Sequence, residues 1–403
     1  MTTSSVPRPE PTAPSGPLRR PPALPRIARR GIPEGALPAL ALFAAVRLAG
    51  VLTVILTNAA RGHPLVKNLA HSWDSRWYLH IAGQGYGHLI WITPEGAVQV
   101  DWAFFPLYPA LIKALITVLP LTPGQAAMVI AWIAAGVAAY GVYVIGHHLY
   151  GRGVATVLVG LWAVMPHAVE LTIAYTESLF AALAVWSLYC VLTRRWVWAG
   201  ALAAAAGLSR PSGFALAGAV ILAAAVEVVR QRGRVPARLW AGALLAPLGW
   251  FGYVLWVGSQ TGDVFGGYFT VQSAWDSRFD FGVGALHFVK ALLLHGGGVV
   301  YPAALMIVAA SLLLFALLCL DRAPLVLVVF TGILILLVLG GSGSFSSKPR
   351  FLLPAFPLLI PMARALTRTW RVRPAQAVVV YGALTIVSLL FGAYVTAVAH
   401  SPL

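Results

Sequence analysis

Long apolar segments recur along almost the whole chain, and they leave few folds open to it. Stretches of about 18–22 mostly apolar residues alternate with short segments rich in Arg and Lys. An α-helix needs roughly 20 such residues to cross the hydrocarbon core of a bilayer. Hydrophobic residues make up 59% of the 403 residues and charged residues only 10%, which excludes a soluble domain of this size. The sequence therefore predicts an all-α polytopic membrane protein.

The apolar windows predict about eleven membrane-spanning helices. One window, 196–229, is interrupted by Arg210-Pro211-Ser212-Gly213, and both of its ends carry arginines. We therefore predict two short helices there, with Arg210 near the turn that joins them. The predicted spans are 36–57, 124–146, 153–171, 174–193, 196–209, 212–229, 239–258, 298–320, 323–341, 350–366 and 376–398.

The charges predict the orientation of these helices. Residues 1–35 contain nine prolines and six arginines, which predicts a disordered cytoplasmic tail ahead of one membrane domain at 36–403. With the tail inside, 18 of the 28 Arg and Lys residues fall in the tail and the inner loops, as the positive-inside rule expects. The net charge of +16 then follows from topology, so no nucleic-acid partner is predicted.

Two long outer loops result from this orientation, at about 58–123 and 259–297, and eight of the twelve acidic residues lie on the outer side. We expect an integral protein of a bacterial plasma membrane, in contact with membrane lipids. Its chemistry is expected on the extracytoplasmic side, where the carboxylates are.

The segment 73–78, Trp-Asp-Ser-Arg-Trp-Tyr, places a carboxylate among aromatic side chains just past the first span. Trp73, Trp77 and Ile81 are spaced i, i+4, i+8, which predicts a helix lying along the membrane surface. A second such helix is predicted from Trp102 to about 116. Asp74 would lie in the first turn of the first helix, where an Asp either suits the helix N-terminus or acts as a reactive group.

Five short blocks of sequence, taken in the order in which they occur, resemble the PIG-V family of mannosyltransferases. This family includes glycosylphosphatidylinositol mannosyltransferase 2 and bacterial relatives. The blocks are Trp-Asp-x-x-Trp-Tyr from Trp73 with Phe-Phe-Pro-Leu-Tyr-Pro from Phe104, Tyr-Thr-Glu-Ser-Leu-Phe from Tyr175, Ser-Arg-Pro-Ser-Gly from Ser209, and Pro-Arg-Phe from Pro349.

The resemblance implies a GT-C glycosyltransferase. Enzymes of that superfamily take a sugar from a polyprenyl-phosphate donor on the non-cytoplasmic side, and an acid in their first outer loop is the expected base. That acid corresponds to Asp74. The implied reaction moves mannose from polyprenyl-phosphate-mannose to a lipid or glycan acceptor, with inversion at the sugar.

The available residues suit such a reaction. The chain has no Gly-rich loop of the kind that cradles a nucleotide phosphate. A phosphate leaving group departs without a proton, so one carboxylate acting as base is sufficient. Cationic side chains then stabilise the charge that develops on the phosphate. No cofactor and no metal ion are predicted, because no His, Cys or acidic residues show metal-ligand spacing.

Four cationic residues are candidates for binding the donor phosphate: Arg210, Arg350, Lys348 and Arg76. The first three lie at predicted outer ends of spans, where Lys and Arg also serve as interfacial anchors. Arg76 lies two residues from Asp74 and could equally meet a lipid headgroup.

Seven further residues are candidates for contacts with the sugar or the acceptor. Two of these have a simpler alternative, since Glu177 could serve only as a helix-start acid and Asp101 only as a helix cap. The seven candidates are Trp73, Trp77, Tyr78, Tyr86, Asp101, Tyr175 and Glu177.

Two rival functions remain open from the sequence. A GT-C enzyme with another sugar, or with a protein acceptor, fits the same motifs. A transporter or lipid flippase belongs to another class, and the broken span at Arg210 favours it. Against the transporter, polar groups gather at one membrane face and no repeated half is visible.

Overall fold

A computed structural model describes residues 33–64, 67–94 and 96–399, with residues 67 and 68 described by their backbone only. Helices dominate these residues, as the apolar windows predict. The predicted cytoplasmic tail at 1–35 lies outside the described residues except for its last three.

The described residues contain seventeen α-helices, which we number in chain order. The first nine are α1 Ala36–Ala60, α2 Lys67–Ala70, α3 Ser75–Gln84, α4 Leu107–Val118, α5 Pro123–Tyr150, α6 Arg152–Ala163, α7 Glu177–Leu192, α8 Trp196–Gly207 and α9 Gly213–Arg230. The others are α10 Ala237–Leu245, α11 Leu248–Thr261, α12 Gly267–Ala274, α13 Val283–His295, α14 Val300–Leu320, α15 Leu325–Gly340, α16 Ile360–Val372 and α17 Pro374–Ala397. Four 3-10 segments add Asp101–Ala103, Ala168–Leu171, Phe345–Leu352 and Phe356–Leu359.

Each of the eleven predicted spans coincides with a helical segment, but the segments differ in length. Among the described residues, six of these segments are long and apolar enough to cross a membrane: α1, α5, α9, α10 with α11, α14 and α17. A bent pair of helices at 345–352 and 356–372 makes a seventh if the pair counts as one span. The other four are α6, α7, α8 and α15, which are 12–16 residues long. The span predicted at 153–171 is shorter in the structure, because α6 ends at Ala163 and the irregular connector 164–176 follows.

The first long loop is folded, as its amphipathic pattern predicts, but it also contains an element that the sequence analysis did not predict. α3 and α4 correspond to the two expected surface helices. Between them lies an antiparallel hairpin of β1 Ile90–Ile92 and β2 Val98–Val100, with Ile90 opposite Val100. The fold is therefore all-α in its spans, with a small hairpin in this loop.

Glycines let α8 pack against α10 and α11 at backbone distance. A Cβ added to Gly249 of α11 would lie 1.8 Å from the carbonyl oxygen of Ala204, and one added to Gly200 would lie 2.1 Å from that of Gly242. Such separations leave no room for a side chain. Small residues at helix crossings are typical of membrane proteins, where close van der Waals packing replaces the hydrophobic effect.

This helix layer also holds the first long loop in place. The hydroxyl of Tyr253 in α11 donates to the carbonyl oxygens of Trp102 at 3.0 Å and Phe104 at 2.6 Å. The amide of Leu107, at the start of α4, donates to the carbonyl of Leu208 at 2.9 Å. The position of residues 102–107, from which α4 begins, thus depends on how closely α11 approaches α8.

Replacing Gly249 by Ala is expected to destabilise the protein. The new methyl group collides with the α8 backbone, and overpacking of this kind costs about 1–3 kcal/mol. Thermal unfolding of the purified protein in detergent measures the loss. Gly252→Ala, one turn further along α11, is the matched control because no heavy atom lies within 4 Å of its added Cβ. Equal melting temperatures for the two variants would contradict the close-packed crossing.

Candidate active site

Four charged side chains from distant parts of the sequence meet at one end of the helix bundle. They form a chain of ion pairs in the order Asp74, Arg350, Glu177, Arg210. Nη2 of Arg350 lies 2.7 Å from Oδ2 of Asp74, and Nε of Arg350 lies 3.7 Å from Oε1 of Glu177. Nη1 of Arg210 pairs with the same Oε1 of Glu177. We call these four residues the ion chain.

Asp74 directly precedes α3, but its carboxylate does not cap that helix. The carboxylate turns instead to Arg350, which is 276 residues away in the sequence. The backbone amide of Asp74 donates to the Tyr175 hydroxyl at 3.4 Å. The simple interpretation of Asp74 as a helix-start acid therefore does not account for its side chain.

Glu177 and Arg210 bring the start of one helix and the turn between two others into contact at the site. Glu177 is the first residue of α7, and its side chain is only 2% exposed. Arg210 lies in the turn between α8 and α9, the break predicted from the sequence, and also donates to Oγ1 of Thr176 at 3.0 Å. A helix-start Glu normally faces solvent, so its pairing with two buried arginines is a tertiary feature of this fold.

Arg350 comes from the 3-10 segment Phe345–Leu352, ahead of the sharp bend that leads into α16. Its guanidinium lies over the ring of Phe351 at 4.9 Å and over the ring of Tyr175 at 5.4 Å. Arg210 lies over Phe351 from 5.2 Å. Aromatic faces attract a cation, so these rings help to keep both guanidiniums at the site.

Two buried polar residues beside the ion chain were not among the predicted site residues. Neither carboxylate oxygen of Glu170 and neither ring nitrogen of His167 has a hydrogen-bond partner among the described residues. Burial, and then the Glu177 carboxylate, raises the pKa of Glu170 well above its usual value. Burial, and then the Arg350 charge, lowers the pKa of His167 to about 3. Both shifts favour the uncharged form of these side chains.

Glu170 could have been found from the sequence, because it is an outer-side acid only seven residues before Glu177. His167 gave no such signal, since a lone His near an apolar segment is usually a structural residue.

Aromatic side chains of the first loop form one wall of the site. Trp77 stacks on Phe104 with ring centroids 5.4 Å apart, and Tyr78 meets Phe104 edge-on at 5.1 Å. Tyr78 is buried, with its side chain close to that of Thr176, next to Glu177. Trp275 of the second loop packs edge-on against Trp77 at 4.8 Å. Stacked and edge-on aromatic pairs stabilise such a wall.

Asp101 and Tyr86 hold the first loop together. The fully buried carboxylate of Asp101 accepts hydrogen bonds from the backbone amides of Gly87, His88 and Leu89 at 2.9–3.4 Å. The simpler interpretation of Asp101 as a helix cap is wrong, because the helical segment it begins has no side-chain cap. The hydroxyl of Tyr86 donates to the carbonyl of Phe104 at 2.7 Å.

Three other predicted residues lie beside the ion chain without joining it. Trp73 is exposed and precedes α3 with a φ of 42°, so the prediction that it shares a helical face with Trp77 is wrong. Arg76 is exposed, and its Nε donates to the His71 carbonyl at 3.4 Å. The buried Lys348 donates to the carbonyl of Gly341 at 2.7 Å.

No group of three or more His, Cys, Asp or Glu side chains could hold a metal ion anywhere in the described ranges. The site is therefore built from ion pairs, aromatic rings and the two buried polar side chains of Glu170 and His167.

Comparisons with known proteins support this architecture. The described helices resemble the oligosaccharyltransferase of Archaeoglobus fulgidus in its apo form, with a TM-score of 0.53 and 15% identity over 91% of this chain and 56% of that one. They also resemble ArnT from Cupriavidus metallidurans bound to undecaprenyl phosphate, with a TM-score of 0.52 and 14% identity over 90% of this chain and 76% of that one. The chain shares the fold of these two proteins, which are GT-C glycosyltransferases.

The archaeal oligosaccharyltransferase has also been solved with an inhibitory peptide and a dolichol-phosphate, and that structure matches with a TM-score of 0.51. This chain spans a little over half the length of the archaeal enzyme. No protein-family model matches the sequence, and no curated protein matches it. The likeness thus establishes the fold, and membership of the PIG-V family stays a prediction.

Removing Glu177 should destabilise the protein more than removing Asp74. Glu177→Gln leaves two buried arginines without their shared carboxylate, and breaking a buried ion pair from one side costs roughly 3–5 kcal/mol. Asp74 is 31% exposed, so solvent compensates part of the loss in Asp74→Asn and about 1 kcal/mol is expected. Thermal unfolding in detergent ranks the two variants. A larger loss for Asp74→Asn would contradict the central position of Glu177.

Proposed function

We propose that this protein is a membrane glycosyltransferase that transfers mannose from a polyprenyl-phosphate-mannose donor to a hydroxyl of a lipid or glycan acceptor, with inversion. The observation that carries the proposal is the ion pair of Asp74 with Arg350 at 2.7 Å. The Asp74 carboxylate is partly exposed and does not cap its helix. The GT-C fold supports the reaction class, and the motif resemblance to the PIG-V family supports mannose as the sugar.

The proposed reaction is a single displacement. The acceptor oxygen attacks the anomeric carbon, the bond from that carbon to the phosphate oxygen breaks, and its electron pair leaves with the lipid phosphate. The acceptor proton passes to Asp74, which acts as general base. One base and one displacement invert the configuration at the sugar, as in other inverting sugar chemistry.

Arg350 can serve the base and the leaving group at once. Its Nη2 holds Asp74, while its Nη1 is buried without a hydrogen-bond partner among the described residues, and we assign the phosphate oxygen to this donor. During transfer Asp74 loses one negative charge by protonation, and the phosphate gains one as it changes from a diester to a monoester. The charge thus moves from one side of the guanidinium to the other, where a fixed cation stabilises it without reorganisation.

The other members of the site take supporting roles in this proposal. Glu177 fixes both arginines, and Arg210 adds a second positive charge for the phosphate. Trp77 and Tyr78 line the space for the sugar or the acceptor. Lys348 and Asp101, whose polar groups already bond to backbone atoms, hold the loops around the site.

The site end is proposed to face the extracytoplasmic side of a bacterial plasma membrane, in keeping with the distribution of Arg and Lys. The transporter alternative loses its supporting feature, because the break at Arg210 has a local explanation in the ion chain. A different sugar or a protein acceptor remains an outcome of the assay below.

The decisive assay uses purified protein, radiolabelled polyprenyl-phosphate-mannose and a bacterial membrane lipid extract. Asp74→Asn should lower turnover by roughly 10²–10⁴-fold, because an amide cannot accept the proton. Asp263→Asn is the matched control, since that exposed carboxylate only caps the turn at Gly266. Wild-type turnover in Asp74→Asn would contradict the assignment of Asp74 as the general base. Transfer from a nucleotide sugar instead would contradict the proposed polyprenyl-phosphate donor.

Arg350 should be the most sensitive of the cationic residues. Arg350→Lys keeps the charge but cannot contact Asp74 and the phosphate in parallel, so kcat should fall by roughly 10²-fold or more, as it does when one transition-state donor is lost. Arg210→Lys should chiefly raise KM for the donor. Lys348→Met should leave both constants near their wild-type values. If thermal unfolding ranked the three variants in the same order as their kinetic losses, Arg350 would act only on folding.

A further inference from the structure

A second polar site lies at the end of the molecule opposite the ion chain. Val300, the first residue of α14, packs in the same buried cluster as Tyr175. Asp321 follows the other end of this 21-residue helix, which is roughly 30 Å long at 1.5 Å per residue. Beside Asp321, α14 and α16 line an open cavity of about 410 Å³.

The cavity has an apolar wall and a charged rim. Its wall consists of aliphatic side chains from both helices, and its rim carries two arginines and one acid. The wall is formed by Leu314, Leu317, Pro361, Met362 and Ala365, and the rim by Asp321, Arg364 and Arg368. Such a division suits a ligand that is itself amphipathic.

The rim carries an excess of positive charge. Nη1 of Arg364 pairs with Oδ2 of Asp321 at 2.6 Å, and its guanidinium lies over the Tyr150 ring at 5.5 Å, so it is held at the rim. Arg368 is exposed and joins none of the ion pairs found among the described residues. Arg364 and Arg368 are one helical turn apart on α16 and therefore share a face.

We propose that this cavity binds one anionic phospholipid, with its phosphate on Arg368 and Arg364 and one acyl chain along Leu314 and Leu317. The wall is formed by the end of the apolar helix α14 and by the apolar face of the amphipathic helix α16, where acyl chains are the surrounding solvent. Basic pockets between helix ends are sites at which anionic headgroups gain affinity over zwitterionic ones. Inorganic phosphate alone gains nothing from the apolar wall.

The test measures lipid binding to the delipidated full-length protein in detergent by native mass spectrometry. Dioleoyl-phosphatidylglycerol is titrated against dioleoyl-phosphatidylcholine with the same chains, and inorganic phosphate is a third arm. We expect phosphatidylglycerol to be retained preferentially. Arg368→Gln should weaken that retention at least fivefold, and Ala365→Trp, which fills the cavity from an exposed position, should weaken it too.

One variant should act in the opposite direction. Asp321→Asn removes the acid that competes for Arg364, so retention of phosphatidylglycerol should increase severalfold. Arg230→Gln is the control, because Arg230 is an exposed arginine at the end of α9 and does not line the cavity.

Three results would overturn the proposal. Equal retention of the two lipids would show that the cavity is only an apolar crevice. Retention of inorganic phosphate as strong as that of phosphatidylglycerol would show that the cavity is only an ion site. An equal effect of Arg230→Gln and Arg368→Gln would show a general surface charge. The assay does not involve transferase activity, so its outcome is independent of the proposed function.

Discussion

The structure depends on neutralising three buried charges and one partly exposed charge at one end of the bundle. An unpaired charge in such a place costs several kcal/mol, so each must find a partner in the alternating order of the ion chain. Asp74 and Glu177 supply the negative charges, and Arg210 and Arg350 the positive ones. Because the four come from different segments, their pairing fixes the first loop, the start of α7, the turn between α8 and α9 and the bent 3-10 segment relative to one another.

The same arrangement has a chemical consequence. A carboxylate held by one edge of a guanidinium, with another edge unoccupied, suits a reaction in which a negative charge disappears on one side and appears on the other. Burial shifts the pKa values of the nearby Glu170 and His167 toward their uncharged forms, so both add polarity beside this balance. A closely packed helix layer and an aromatic wall keep the charges in place, which is the preorganisation that electrostatic catalysis requires.

Most of the fold was predictable because its signals are local. Apolar length gives the helices, and the amphipathic spacing gives α3 and α4. The break at Arg210 could be read from Pro211 and Gly213, since such residues interrupt a helix. The hairpin at Ile90–Val100 was missed because three-residue strands leave almost no periodic pattern, and the early end of α6 was missed because apolar composition continues past Ala163.

The sequence by itself determined that this is a helical membrane protein and marked Asp74, Glu177, Arg210 and Arg350 as unusual, because charges are rare beside apolar segments. Only the tertiary structure decided what each does. It joined Asp74 to Arg350, turned Lys348 toward a carbonyl, assigned Asp101 to a backbone turn and brought Glu170 beside the ion chain. Spacing along a chain reports neighbours within a turn or two of helix. Partners separated by more than two hundred residues are chosen by packing and by the need to pair buried charge.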